Sequence, residues 1–147
     1  MEHACITRIE MDIAIGATPE RVWKALTEET DGWWRKDFYA GASTQAFRFE
    51  ARVGGPVFEE GANGSGLLWY TVIAIDPPRS VDLSSQLAAK FGGPALSMLR
   101  LDLLPDGTGT LLKLSDLILG PSTDPNCKRD GWRLLLEEGL KVYLERG

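Results

Sequence analysis

The last third of the chain constrains the fold most. Two runs, ALSMLRLDLL and TLLKLSDLIL, flank the turn PDGTG, and the amphipathic stretch DGWRLLLEEGLKVYLE follows. Two strands joined by a Gly-containing turn form an antiparallel hairpin. The helix is predicted to start around STDPN, with Ser122, Thr123 or Asp124 as candidate caps and Pro125 in the first turn. Trp132, Leu135, Leu136, Gly139, Leu140 and Tyr143 then share one helical face, while Arg133, Glu137, Glu138, Lys141 and Glu145 lie mostly elsewhere.

Upstream, Ile9, Met11, Ile13 and Ile15 alternate with Arg8, Glu10 and Asp12, the period of a half-buried strand. ATPERVWKALTEET then reads as a helix with Thr18 as cap, Pro19 in the first turn, and Val22, Trp23, Ala25 and Leu26 as its buried stripe. DGWWRKDFY is too short and irregular to extend that helix, and its four rings exceed what one surface helix can bury. AFRFEAR points Phe47, Phe49 and Ala51 to one side, VGGPVFEEG reads as a tight turn and short strand, and SVDLSSQL is a further strand. GLLWYTVIAID, apolar on both faces, is predicted to be central and covered twice. The order is strand, one or two short helices, about six strands and a long helix. Such an α+β chain forms a curling antiparallel meander whose final helix fills the concave side. No repeat or linker divides it, so residues 1–147 are expected to form one domain.

The net charge of −5 argues against a nucleic-acid partner, and no basic cluster departs from that balance; CKRD is the densest. Attraction to an anionic membrane is disfavoured for the same reason. The start, MEHACITRIE, lacks an apolar signal region, and the longest apolar run is about half of what spans a bilayer, so a cytoplasmic protein is expected. Cys5 and Cys127 lack CxxC spacing and read as two reduced, half-buried thiols. The single histidine, His3, sits in the terminal segment, which disfavours His-based triads and metal sites. No metal and no cofactor are expected, and any catalysis would rest on carboxylates, Tyr, Lys, Arg or ordered water.

The motifs ATPERVWKALT, GWWRKDF, RVGGPV, GLLWYTVIAIDPPRSV, DGTGTLLKLSDL and DGWRLLLEEGLKVYLE, in this order, resemble the START-like superfamily. This is the Bet v 1-like, helix-grip or SRPBCC fold, and the resemblance is nearest to the branch related to the activator of Hsp90 ATPase. It implies a curved sheet wrapped around the long helix, two short helices after the first strand, and a deep cavity for an apolar ligand. It also implies that the segment after the first helix closes one side of that cavity. One of Trp33 and Trp34 is then expected to face inward and the other to pack outside. The pattern departs at Asp116, where many relatives carry His or Glu.

The candidate ligand-binding residues are Trp23, Trp33, Trp34, Phe47, Phe49, Trp69, Leu112, Leu114, Asp116, Trp132, Leu136, Gly139 and Tyr143. Strand parity turns Asp116 inward with Leu112 and Leu114, although a position near a strand end also allows it to reach solvent. Ser85 and Ser97 share the inward parity. Gly139 either widens the cavity or permits close helix–sheet contact. Arg48, Glu50, Arg52, Arg100 and Asp102 read as outer-face charge pairs.

The leading function is a non-enzymatic carrier or sensor for a small, mostly apolar ligand. The alternative is a cyclase- or aromatase-like enzyme with Asp116 and Tyr143 as acid–base candidates. The third is an interaction module like the Hsp90 activator; no long exposed apolar patch is apparent to support a chaperone partner. A homodimer is the default assembly.

Overall fold

A computed structural model describes residues 3–91, 93–121 and 125–146. Strand β1 (Cys5–Ile15) is followed by helices α1 (Pro19–Glu28) and α2 (Thr30–Trp33) and a 3₁₀ turn, Lys36–Phe38. Strands β2 (Thr44–Phe49), β3 (Pro56–Gly61), β4 (Gly66–Asp76), β5 (Ser80–Leu87), β6 (Ala95–Asp106) and β7 (Gly109–Gly120) come next. The terminal helix comprises α3 (Pro125–Arg133), a π-helical stretch (Leu134–Lys141) and α4 (Val142–Glu145). The candidate caps Ser122, Thr123 and Asp124 and the Cys127 thiol lie outside what is described.

The seven strands form one sheet in the order β1-β7-β6-β5-β4-β3-β2, every neighbouring pair antiparallel. Strands β2 to β7 are the expected meander. The two helices after β1 carry the chain to the opposite edge, and β1 joins β7 as the other edge. The Thr18 hydroxyl accepts from the Arg21 N–H at 3.3 Å, capping α1 as its sequence requires. At the β2 edge, Asp31 Oδ1 accepts the otherwise free Phe47 N–H at 2.9 Å, so α2 covers part of that edge.

The concave face holds the core. Ile9, Met11, Ile13, Ile15, Leu112 and Leu114 meet Val22, Ala25 and Leu26 of α1, and Leu135, Leu136 and Leu140 of the terminal helix, all buried. The far end of that helix is tied to β1 through Glu145 Oε2, which accepts the Gly16 N–H at 2.7 Å. On the outer face Arg100 pairs with Asp82 at 2.6 Å and Asp102 at 3.0 Å, and Arg48 pairs with Glu60 at 3.0 Å.

Several expectations are corrected. Strand β4 is covered on one side only: Leu68 and Ile73 on its outer face are exposed. Ala51 is exposed because β2 ends at Phe49, and Cys5 is exposed at the start of β1. The outer face does carry an apolar row, since the register places Ile6 beside Leu119 and Leu119 beside Leu96. All three side chains are exposed, as is Met98 two residues along β6. Among the described residues, no helix is long and apolar enough to cross a membrane.

Candidate functional site

The sheet and the first half of the terminal helix do not close completely on each other. They leave a cavity of about 230 Å³. Its sheet wall comes from Trp69 and Tyr70 of β4, Ser85 and Leu87 of β5, Ala95 and Ser97 of β6, and Asp116 and Ile118 of β7. The helix contributes Lys128, Gly131, Trp132 and Leu135, spaced one and two turns apart on one face. Trp34 and Phe38 line the remaining side. The aromatic segment after the first helix therefore does border the cavity.

Trp33 and Trp34 are both buried, so neither packs outside. Helix α2 ends at Trp33, and Trp34 takes an extended backbone (φ −65°, ψ 121°), which turns consecutive rings into different surroundings. Trp33 enters the core and donates its indole N–H to the Ala25 carbonyl at 2.8 Å. Trp34 stacks on Phe47 with centroids 4.0 Å apart and planes 15° apart.

A bulge shapes the β4 part of the sheet wall, where Trp69 lies beside Trp34 with ring centroids 6.1 Å apart. Val57 pairs with Tyr70 but Phe58 pairs with Leu68, which leaves Trp69 as the extra residue in β4. Two successive rings thus meet the same cavity, against the alternation of a regular strand. Trp69 is held there by its indole N–H, which donates to Glu59 Oε2 at 2.6 Å. Glu59 is fully buried and also accepts from the Ala40 N–H (2.8 Å), the Gly41 N–H (2.9 Å) and the Thr44 hydroxyl (2.5 Å). Burial alone would raise its pKa; these four donors outweigh burial and hold it below the usual glutamate range.

Asp116 is buried rather than solvent-reaching. Its Oδ2 accepts the Trp132 indole N–H at 3.0 Å, while Oδ1 takes no hydrogen bond among the described residues. Burial pushes its pKa up, opposed by the Trp132 hydrogen bond and the Lys128 charge. The Tyr70 hydroxyl is pushed far above its ordinary range by burial and then by the Asp116 charge, so it stays protonated. The one other buried side-chain polar atom without a partner among the described residues is Trp34 Nε1. Both orphaned atoms belong to side chains that line the same cavity.

Of the thirteen sequence candidates, Trp34, Trp69, Asp116 and Trp132 come together at this cavity. Trp33, Phe49 and Leu136 border a separate void of about 20 Å³, which Trp34 and Trp132 also touch. Leu112, Leu114 and Phe47 are fully buried core, and Trp23 is half-buried against it. Gly139 neither widens the cavity nor meets the sheet: a Cβ there would lie 2.9 Å from the Trp33 carbonyl oxygen, so the glycine lets the helix approach α2. Tyr143 lies outside the cavity and donates to Glu29 Oε1 at 2.6 Å. Sequence reading placed Phe38 in the aromatic segment that closes the cavity, and it did not single out Tyr70, Lys128 or Glu59. Lys128 had a signal, one turn before Trp132 on the same face, and Glu59 had one in its inward parity with Val57. Among the described residues, no three His, Cys, Asp or Glu side chains are grouped to hold a metal ion.

Residues 16–145 match the family described as Activator of Hsp90 ATPase homolog 1-like protein, and the chain belongs to that family. No curated protein sequence matches. Among solved structures, the Mll3558 protein of Rhizobium loti aligns with a TM-score of 0.75 at 24% identity, covering 97% of this chain and 100% of that one. The Aha1 dimer of Colwellia psychrerythraea aligns at 0.64 and 22% identity, covering 94% and 96%. CalU16 of Micromonospora echinospora aligns at 0.63 and 19% identity, covering 97% and 85%. These likenesses establish the START-like, helix-grip fold.

Proposed function

We propose that this family member is a binding protein, a carrier or sensor, for a small and mostly apolar molecule held between the sheet and the terminal helix. The observation that carries the reading is the cavity of about 230 Å³ with an aromatic and aliphatic lining. A cavity of about 150 Å³ lined by apolar side chains accepts benzene. The volume here therefore suits one or two rings, and a sterol or a long folded polyketide chain is too large for it.

A thermal-shift screen with mono- and bicyclic lipophilic compounds tests this reading. A ligand at about 100 times its dissociation constant adds about 2.7 kcal/mol. For a chain of this size each kcal/mol raises the melting temperature by about 2–4 °C. A saturable rise with one chemical class is expected. No shift with any compound of that size would overturn the proposal.

The outer apolar row of Ile6, Leu119 and Leu96 favours a second copy of the chain as its occupant. The Colwellia relative is described as a dimer, which supports this reading. Sedimentation equilibrium is expected to show a dimer that Leu119→Glu dissociates; a monomer at every concentration would exclude it.

A further inference from the structure

The inward columns of two neighbouring strands change character where the cavity begins. Val81 and Leu83 of β5 and Leu99 and Leu101 of β6 are buried aliphatic side chains of the concave face. The next inward residues are Ser85 and Ser97, direct partners across the two strands, and both line the cavity. Side chains paired in this way have Cβ atoms about 5 Å apart. Both serines are half-buried, and neither hydroxyl makes a hydrogen bond among the described residues. Unlike Trp34 Nε1 and Asp116 Oδ1, neither Oγ is sealed off, and on the concave face the open space beside them is this cavity.

On the helix wall, Gly131 lines the same cavity. A Cβ there would meet nothing within 4 Å, whereas at Gly139 it would meet a backbone oxygen. Gly131 lies within α3, in a backbone conformation that any residue adopts. Glycine inside a helix costs stability relative to alanine, and here neither packing nor backbone geometry asks for it. What the missing side chain does provide is room in the cavity.

Resting on the binding-protein reading above, we infer that Gly131 and the Ser85–Ser97 pair determine the specificity of the cavity: Gly131 leaves room for a second ring, and the serines take one uncharged oxygen substituent of the ligand. Each serine hydroxyl is both a donor and an acceptor, and a hydroxyl or carbonyl oxygen has two lone pairs, one for each serine. A bare hydrocarbon would displace water from both hydroxyls and return no hydrogen bond. Two neutral hydroxyls do not offset the dehydration of an ion, which selects an uncharged group over a carboxylate or an ammonium.

The test is calorimetric titration with 2-naphthol, naphthalene, phenol and 2-naphthoate, on the native chain, on Gly131→Ala, and on Ser85→Ala combined with Ser97→Ala. The native chain is expected to bind 2-naphthol about tenfold or more tighter than naphthalene. In the double serine variant that ratio falls towards one, with naphthalene affinity kept. Gly131→Ala is expected to raise the melting temperature, because its methyl group enters open space and improves the helix. The same variant binds 2-naphthol about fivefold or more weakly, and phenol is affected less. A glycine with a purely structural role would give the opposite stability change and leave the phenol-to-naphthol ratio alone. An unchanged ratio in the double serine variant would show that the hydroxyls are merely hydrated, and tightest binding by 2-naphthoate would show that charge selects the ligand; either overturns the inference while the cavity reading stands. If no compound saturates the native chain, the binding-protein reading fails as well.

Discussion

Trp132 donates its indole N–H to Asp116 Oδ2 at 3.0 Å, joining the terminal helix to β7, while the other carboxylate oxygen has no partner among the described residues. A half-satisfied buried carboxylate opposes folding when it is charged. Its folded pKa is raised, chiefly by burial, so the folded state holds the proton over a pH range where the unfolded chain has lost it. Stability therefore falls as pH rises from the ordinary aspartate range through the folded value. Asp116→Asn keeps an oxygen for Trp132 and removes the charge. It is expected to stabilise the protein at pH 7.5 and to help less at pH 4, measured by urea denaturation. An equal effect at both pH values would contradict this.

Glu59 has the opposite sign. Its folded pKa is lowered despite burial because Ala40, Gly41, Thr44 and Trp69 all donate to it. Its contribution is complete above the ordinary glutamate range and is lost as pH falls through that range towards the folded value. Glu59→Ala leaves these donors unmet and is expected to cost about 2–4 kcal/mol at neutral pH. Glu59→Gln should flatten the acid limb of the stability profile, and an unchanged limb would assign acid sensitivity to other groups.

At Gly139 two effects compete. Alanine improves helix propensity by about 1 kcal/mol. Its Cβ, however, would meet the Trp33 carbonyl oxygen at 2.9 Å, a backbone atom that cannot swing away. Overpacking of this kind costs about 1–3 kcal/mol, so Gly139→Ala is expected to lower the unfolding midpoint. A raised midpoint would show that α2 yields easily.

Tyr143 serves as a clasp between the terminal helix and α1 through Glu29. Tyr143→Phe should lose about 1 kcal/mol of stability and leave 2-naphthol affinity unchanged in calorimetric titration. A large loss of affinity would bring Tyr143 back as a site residue.

The fold was legible because its signals are local. Alternation in β1, β6 and β7, the Thr18 cap, the turn at Gly107 and the helical stripe from Trp132 onward each follow from neighbouring residues. Asp116 was legible as an inward side chain by the same parity, although parity alone did not decide between burial and solvent. The missed features depend on tertiary geometry. A bulge at Trp69 breaks alternation and brings Tyr70 inward; nothing in GLLWY marks the slip. The four donors to Glu59 come from two separate segments, residues 40–44 and Trp69 of β4. The partner of Gly139 is a backbone oxygen of a neighbouring helix, which helical periodicity does not reveal. The outer faces of β4, β6 and β7 stay open because every covering helix lies on the concave side, so their apolar residues misled a reading based on hydrophobicity.

The central claim is that the space between sheet and helix is a ligand site, and a cavity-filling variant tests it most directly. Calorimetric titration of 2-naphthol and naphthalene into the native chain and into Ser97→Leu, which places an aliphatic side chain in the space, compares the two. One-to-one saturable binding is expected in the native protein, with at least about tenfold loss in a variant whose melting temperature is maintained. Equal affinity in both proteins, or no saturable binding to the native chain, would contradict it.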